Sequence, residues 1–337
     1  MILNKRQTIA LDFLEDDTTR FVLFGGGAGS SKSFLGAYWL VKNCLKYPET
    51  RWLLGRARIT TLKRTSLLTV FEICKLQGLK PEIHYRYNGQ ANTITFFNGS
   101  VIFLYDLFLY PTDPLFDKLG GLEITGALIE EVQEVCKQAV DVVSTRIRYK
   151  LVENGLIPKV LMTCNPSKSW SFKEYYLADK EGTLPPHKKF VQALAKDNPF
   201  VDPSYIQQLS DLPQAQRDRL RDGKWEGTDD RHLINQENIK NLFTKTFIKG
   251  GNKYITIDVA RQGKDKSVIM VWDGLKVIDF YEYNKNTLVE LTDKIKELHK
   301  KYTIPMSNII ADETGVGAGV VDTLRCKGFL EIGRAHV

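Results

Sequence analysis

Two hydrophobic periods alternate along the first half of the chain. Apolar runs at 20–24, 51–55, 124–129 and 158–163 have the length and composition of buried strands. Between them, apolar positions return at helical spacing near 32–46, 60–77 and 134–149. This alternation, up to about residue 165, predicts an α/β domain on a largely parallel sheet. The stretch "NTITFFNGSVIFLY" departs from it, because two β-rich runs joined by Asn98-Gly99 predict a hairpin that adds antiparallel strands.

From about 166 to 250 the periodicity weakens, and "NPSKSW", "GTLPPH", "DNPFVDP" and "DLPQ" predict a linker with short helices. Order returns at Lys253. "KYITIDVA", "SVIMVWDG" and "KVIDFYEY" read as three strands, followed by a helix at 287–301, a fourth strand in "NIIADETG" and a helix from about Ala318. This β-β-β-α-β-α order is that of a ribonuclease H-like domain, cut short. The last seven residues, "EIGRAHV", resemble a translated sequencing adapter, so the natural chain is expected to continue beyond Leu330. The domains are therefore read as 1–185, a linker over 186–250, an incomplete second domain over 251–330 and an artefactual tail at 331–337.

Composition narrows the class without choosing a function. At 337 residues, 43% apolar and 26% charged, the chain has the make-up of a globular protein with room for two cores. A net charge of +7 is compatible with a polyanionic partner. Five cysteines at irregular spacing predict neither a disulfide framework nor a zinc site, and the start lacks a signal-peptide core. A cytoplasmic protein with no membrane partner is expected.

Candidate chemistry sits at the strand ends. In "FVLFGGGAGSSKSFL" a strand leads into Gly25, Gly26, Gly27 and Gly29, then Lys32-Ser33 and a helix. Glycines let the main chain curl close around phosphates, with a helix N-terminus behind them. Gly26 and Lys32 stand at phosphate-loop spacing; Lys32 suits the β- and γ-phosphates of ATP, and Ser33 suits Mg²⁺. Ser31 occupies a position that usually carries glycine. A positive φ there would cost about 1 kcal/mol or more, unless Gly29 takes the sharper bend. "ITGALIEEVQEV" ends a strand in Glu130-Glu131, where Glu130 is read as the metal carboxylate and Glu131 as the base that activates water. Their adjacency is expected to turn them to opposite sides of an extended strand. "KVLMTCNP" ends another strand near Thr163, Cys164 and Asn165, where additional-strand ATPases sense the γ-phosphate. Gln7 offers an amide able to pair with adenine. Arg56, Arg58, Arg64, Arg146 and Arg148 are candidates for a transition-state arginine.

A second acidic set lies in the later strands. Asp258 and Asp312 stand among Ile and Val, where an unpaired buried carboxylate is costly and a divalent cation is the usual partner. A ribonuclease H-like sheet would bring the first and fourth strands together, so both would share Mg²⁺ or Mn²⁺ for phosphodiester hydrolysis. Asp265 is read mainly as a turn residue and Glu313 as structural. No strand is left in the reading to carry a third acid.

In order, Gln7, "GGGAGSSKS", "ALIEEVQE", "TCNP", "DNPFVDPSYIQQL…GKWEG", "IDVARQGKDKS" and "ADETGVGAG" resemble the large terminase subunit of tailed bacteriophages, from about residue 4 to 328. That resemblance implies a P-loop additional-strand ATPase domain followed by a ribonuclease H-like nuclease. It implies ATP at Lys32, Ser33, Glu130 and Glu131, and nuclease chemistry at Asp258 and Asp312. It also implies double-stranded DNA as substrate, a ring of subunits on a portal protein, and a small terminase subunit as partner. The implied location is the host cytoplasm, transiently at the procapsid portal and not in the mature virion. A DNA-translocating ATPase or helicase without nuclease activity is the alternative. A non-catalytic nucleic-acid scaffold would leave both acidic sets unexplained.

Overall fold

A computed structural model describes residues 3–226, 249–260, 266–284, 286–312, 317–324 and 326–329, with the side chains of Asp312 and of 327–329 outside the description. Two compact units divide the chain, one through Leu233 and the other from Ile234. Each is described by itself.

The first unit is built on an eight-stranded sheet in the order β3-β4-β5-β2-β6-β7-β1-β8. Its strands are β1 (Phe21–Gly26), β2 (Arg51–Arg56), β3 (Tyr85–Asn88), β4 (Thr93–Phe96), β5 (Val101–Asp106), β6 (Gly126–Ile129), β7 (Lys159–Cys164) and β8 (Lys188–Ala193). From β5 to β8 all neighbours are parallel. β3 and β4 join antiparallel at one edge, with Gly99 at φ 81° in the turn to β5. The hairpin was legible in the sequence; β3 was not. β7 lies between β1 and β6, which is the additional-strand arrangement.

Period-two alternation along parallel strands supplies two cores. Val22, Phe24, Trp52, Leu54, Leu128 and Leu161 face one side, packed with α1 (Lys5–Glu15), α2 (Lys32–Lys46) and α4 (Ser66–Leu76). Leu23, Leu53, Ala127, Ile129, Val160 and Met162 face the other, packed with α5 (Lys137–Thr145). The helix expected over 60–77 is broken. α3 (Ile59–Arg64) ends at Thr65, whose φ of −127° and ψ of −81° are not helical, and α4 begins afresh at Ser66.

The linker expected over 186–250 begins too early. β8 pairs along its whole length with β1, and α7 (Pro203–Ser210) and α8 (Gln214–Leu220) follow in the same unit after the short helix α6 (Ala178–Lys180). Pro and Gly mark the bends of this segment, but its strand is made by pairing with a buried neighbour, which no local pattern records. Residues 227–248, the rest of that expected linker, lie outside the described residues.

The second unit has a five-stranded sheet in the order β11-β10-β9-β12-β13. It comprises β9 (Lys253–Asp258), β10 (Ser267–Asp273), β11 (Lys276–Tyr283), β12 (Ile309–Asp312) and β13 (Lys327–Phe329). The first three pair antiparallel, and β12 runs parallel to both β9 and β13. α9 (Leu288–Tyr302) and α10 (Ala318–Leu324) bring Leu291, Ile295, Leu298, Val320 and Leu324 onto Ile255, Ile257, Ile269 and Val271. This is the ribonuclease H-like order, with β13 a fifth strand that the sequence reading lacked. No helix among the described residues is long and apolar enough to cross a membrane.

Candidate active site

The C-terminal ends of the neighbouring parallel strands β6, β7 and β1 lie side by side, and the loop after β1 is bent by its own sequence. Gly26 has φ 140° and Gly29 φ 72°. A Cβ on Gly26 would stand 2.0 Å from the Ala193 carbonyl oxygen, so only glycine fits there. Ser31 is also left-handed, at φ 62° and ψ 31°. Gly29 therefore does not relieve Ser31 of the strain; both residues carry positive φ. Beyond Ser31, the first turn of α2 presents the amides of Lys32, Ser33 and Phe34, which a helix leaves without internal acceptors.

Lys32 is 8% exposed. Its Nζ donates to the carbonyls of Gly26 at 3.1 Å and Gly27 at 2.6 Å, to Ser30 Oγ at 3.0 Å and to Asn165 Oδ1 at 3.2 Å. Burial pushes the ammonium pKa down, while Cys164, Glu131 and Glu130 push it back up. Asn165, just past β7, spans two groups: its Nδ2 also donates to Glu131 Oε2 at 3.5 Å.

Glu130 is 3% exposed and extends β6 by donating its amide to the Gly55 carbonyl at 2.8 Å. Its carboxylate accepts a hydrogen bond from the Ser66 hydroxyl, and the Ser33 hydroxyl is near enough to lower its pKa. Burial raises its pKa, the two hydroxyls and Arg56 lower it, and Glu131 raises it again. Glu131 parts from it by a left-handed turn at φ 49° and ψ 50°, rather than by the strand pleat the sequence suggested. Its carboxylate accepts from Gln133 Nε2. Ser33 and Glu130 form an oxygen-only pair of hydroxyl and carboxylate, the donor chemistry that suits Mg²⁺.

Gln7, on α1, reaches the phosphate loop at Ser31. Its carboxamide bonds the Asn4 amide at 3.0 Å and the Ser31 carbonyl at 3.1 Å. Among the arginines, Arg56 at the end of β2 stands by Glu134 at 3.6 Å, and its buried Nε has no hydrogen-bond partner. Arg58 lies over the Phe108 ring at 3.5 Å, Arg146 donates to the Gly120 carbonyl, and Arg148 pairs with Glu123.

Sequence reasoning missed Ser66, Gln133 and the cover of the loop. Gly27 and Ala28 donate their amides to the Ala193 and Leu220 carbonyls at 3.0 and 2.8 Å, and Asn198 donates to the Gly29 carbonyl at 2.9 Å. Trp225 stacks on Tyr176 at 5.2 Å, with its ring 2.8 Å from where a Cβ on Gly25 would be. Thr65-Ser66 is a helix-start signal that could have located Ser66; nothing local pointed to Trp225.

In the second unit, Asp258 ends β9 and is exposed, which corrects the reading of a buried carboxylate. Ile255 and Ile257 take the core face, and the charge falls on the last residue of the strand. Ala311 of β12 pairs with Ile257, so Asp312 and Asp258 are the next residues on neighbouring parallel strands. The side chain of Asp312, together with Asp265 and Glu313, lies outside the description. The described residues contain no group of three or more His, Cys, Asp or Glu placed to hold a metal.

Among solved structures, the chain is similar to the large terminase of a thermophilic bacteriophage. One crystal form matches with TM-score 0.52 and 15% identity over 99% of this chain and 84% of that one. The same phage protein in complex with ADP matches with TM-score 0.52 and 15% identity over 97% and 82%. Its complex with ATP-γ-S matches with TM-score 0.51 and 16% identity over 98% and 82%. These likenesses concern the fold. No curated protein sequence matches. The family profile described as "Terminase large subunit, T4likevirus-type, N-terminal" matches residues 23–241. Since that match spans well over half of the chain, the protein belongs to the terminase large-subunit family.

Proposed function

We propose that the chain is an ATP-driven motor that moves double-stranded DNA into a procapsid, and that its second unit cuts concatemeric DNA with the help of Mg²⁺ or Mn²⁺. The observation that carries the motor reading is the convergence of the phosphate loop with two strand ends, where Asn165 after β7 accepts from Lys32 at 3.2 Å and donates to Glu131 after β6 at 3.5 Å. Ser33, at the start of α2, and Glu130, at the end of β6, would hold Mg²⁺, which when bound neutralises charge on the phosphates. Lys32 would exchange its carbonyl acceptors at Gly26 and Gly27 for the β- and γ-phosphates. Glu131 would take the proton of the attacking water, and Asn165, bonded to both Lys32 and Glu131, would register the γ-phosphate. The thermophilic phage enzyme binds ADP and ATP-γ-S on the same fold, which supports a nucleotide here.

For the nuclease, Asp258 and Asp312 are the proposed metal ligands, supported by the register of β9 and β12. The second reading is a DNA-translocating ATPase without nuclease activity, in which Asp258 is an ordinary exposed strand-end carboxylate. A portal protein, a small terminase subunit and a ring of copies are the proposed partners, in the host cytoplasm. Phosphate release from ATP in the presence of Mg²⁺ tests the motor: wild type turns over and Lys32→Ala does not. Equal turnover by both proteins would sink the reading. Metal-dependent nicking of supercoiled plasmid, absent in Asp258→Ala, separates the two readings. Nicking that survives the substitution removes Asp258 from the chemistry.

A further inference from the structure

We infer that Gln133 is a positioning residue for the base Glu131, a role that rests on the motor reading above. It holds the Glu131 carboxylate by one oxygen and leaves the other to the attacking water. Glu131 leaves β6 in the left-handed conformation, at φ 49° and ψ 50°, and a 3-10 turn over Val132–Glu134 follows at once. The Glu134 amide closes that turn on the Glu131 carbonyl at 2.8 Å, and Val132 and Val135 anchor it in the core at 0% and 2% exposure. A non-glycine residue keeps such a backbone only where its surroundings hold it. The turn brings the half-buried Gln133 side chain back to Glu131, and its Nε2 donates to Glu131 Oε2.

Two amides thus meet on one carboxylate oxygen. Gln133 Nε2 and Asn165 Nδ2, the latter at 3.5 Å, both donate to Glu131 Oε2. Among the described residues no hydrogen bond reaches Oε1 of that carboxylate. Pinning one oxygen orients the carboxylate and keeps the other free to accept a proton, as a general base requires. In hydrolysis the water oxygen bonds the γ-phosphorus and a water proton passes to Oε1. The bond from phosphorus to the bridging oxygen breaks, and its electron pair leaves on ADP. The two amides differ in what else they hold. Asn165 also accepts from Lys32 at 3.2 Å, so its grip on Glu131 shifts when Lys32 turns to phosphate. The Gln133 carboxamide answers to Glu131 alone: its own Oε1 is buried and without a partner among the described residues. An acceptor left over in this way is costly, and a glutamine with a purely structural task would satisfy both ends. Turning the amide over would set oxygen against oxygen, so the carboxylate dictates its orientation.

Hydrolysis rate and nucleotide affinity separate this role from a structural one. Gln133→Met keeps an unbranched side chain and removes the donor. Gln133→Glu keeps size and polarity but sets a second carboxylate against Glu131. Both are compared with wild type by thermal melting, by kcat and KM for ATP with Mg²⁺, and by calorimetry with ATP-γ-S. The expected kcat is lower by about ten- to a hundredfold in both, the loss of one hydrogen bond to a charged group, with KM and ATP-γ-S affinity within about twofold of wild type. On a Glu131→Gln background, Gln133→Met should lower the residual turnover by less than about twofold, since the group it positions is gone. A merely structural glutamine would give the same loss on either background. Wild-type kcat in Gln133→Met, a loss confined to KM, full additivity with Glu131→Gln, or unfolding of both variants overturns the inference. If Lys32→Ala hydrolyses ATP as wild type does, the motor reading itself fails and takes this inference with it.

Discussion

Glu130 shows how a single side chain is set against the stability of its surroundings. Its carboxylate is withdrawn from water, and its pKa rises because burial penalises the charged form more than the Ser66 and Ser33 hydroxyls and Arg56 compensate. The folded state therefore holds this proton more tightly than the unfolded chain. Stability falls as pH rises from the unfolded pKa to the folded one, and stays lower above it. Glu130→Gln keeps the shape and removes the charge. At neutral pH we expect it to be more stable by about 1 kcal/mol, raising the melting temperature by about 2–4 °C, with ATP turnover lost. The gain should shrink toward pH 4, and a thermal melt series across pH checks this. Lys32, Ser33 and Glu130 were legible in the sequence because phosphate-loop spacing and a strand-end acid are local patterns. Ser66 was not, since its hydroxyl reaches Glu130 only because the helix breaks at Thr65.

At the level of elements, the segment from β8 to Trp225 belongs with the phosphate loop. Its carbonyls at Ala193 and Leu220 take loop amides, and Trp225 is 2% exposed between Tyr176 and Phe190. Tyr176 lies in a π-helical turn, Phe172–Leu177, a local insertion that lets the ring stack on Trp225 at an interplanar angle of 12°. Trp225→Ala should cost about 3–5 kcal/mol in chemical denaturation and increase amide exchange over residues 26–33. Unchanged exchange in the loop would mean that the tryptophan stabilises the segment without holding the loop. The β4–β5 turn gives a smaller, local case. Gly99 has φ 81°, so Gly99→Ala is expected to destabilise the first unit by about 1–2 kcal/mol, read from a urea midpoint. That turn was evident from Asn98-Gly99 alone, whereas β3 and β8 exist by pairing with neighbours and left little trace in their own residues.

For the whole molecule, two separately packed units carry two acidic sets. If each unit runs its own chemistry, the defects separate. Asp258→Ala should leave ATP turnover within about twofold of wild type, an effect under about 0.5 kcal/mol as expected for a surface change outside the unit that carries the motor residues. Lys32→Ala should leave metal-dependent nicking in place. Loss of both activities in either variant would show that the two sites act as one. The alternation of strand and helix, followed by strands in series, was enough to anticipate both folds and their order. It placed the division too early, because Pro and Gly report where a chain bends and not what it packs against.

The sequence by itself determined the strand ends, the glycine-permitted loop, and which charged and hydroxyl side chains stand beside them, since these follow from residue type and short spacing. Only the tertiary structure decided that Ser66 bonds Glu130, that Asn165 joins Lys32 to Glu131, that Gln7 bonds the Ser31 carbonyl, and that Asp258 is exposed. Each of these depends on strand order and helix placement, which arise from burying apolar faces across the whole sheet. Contacts between residues far apart in the chain are products of that packing, and no local pattern encodes them.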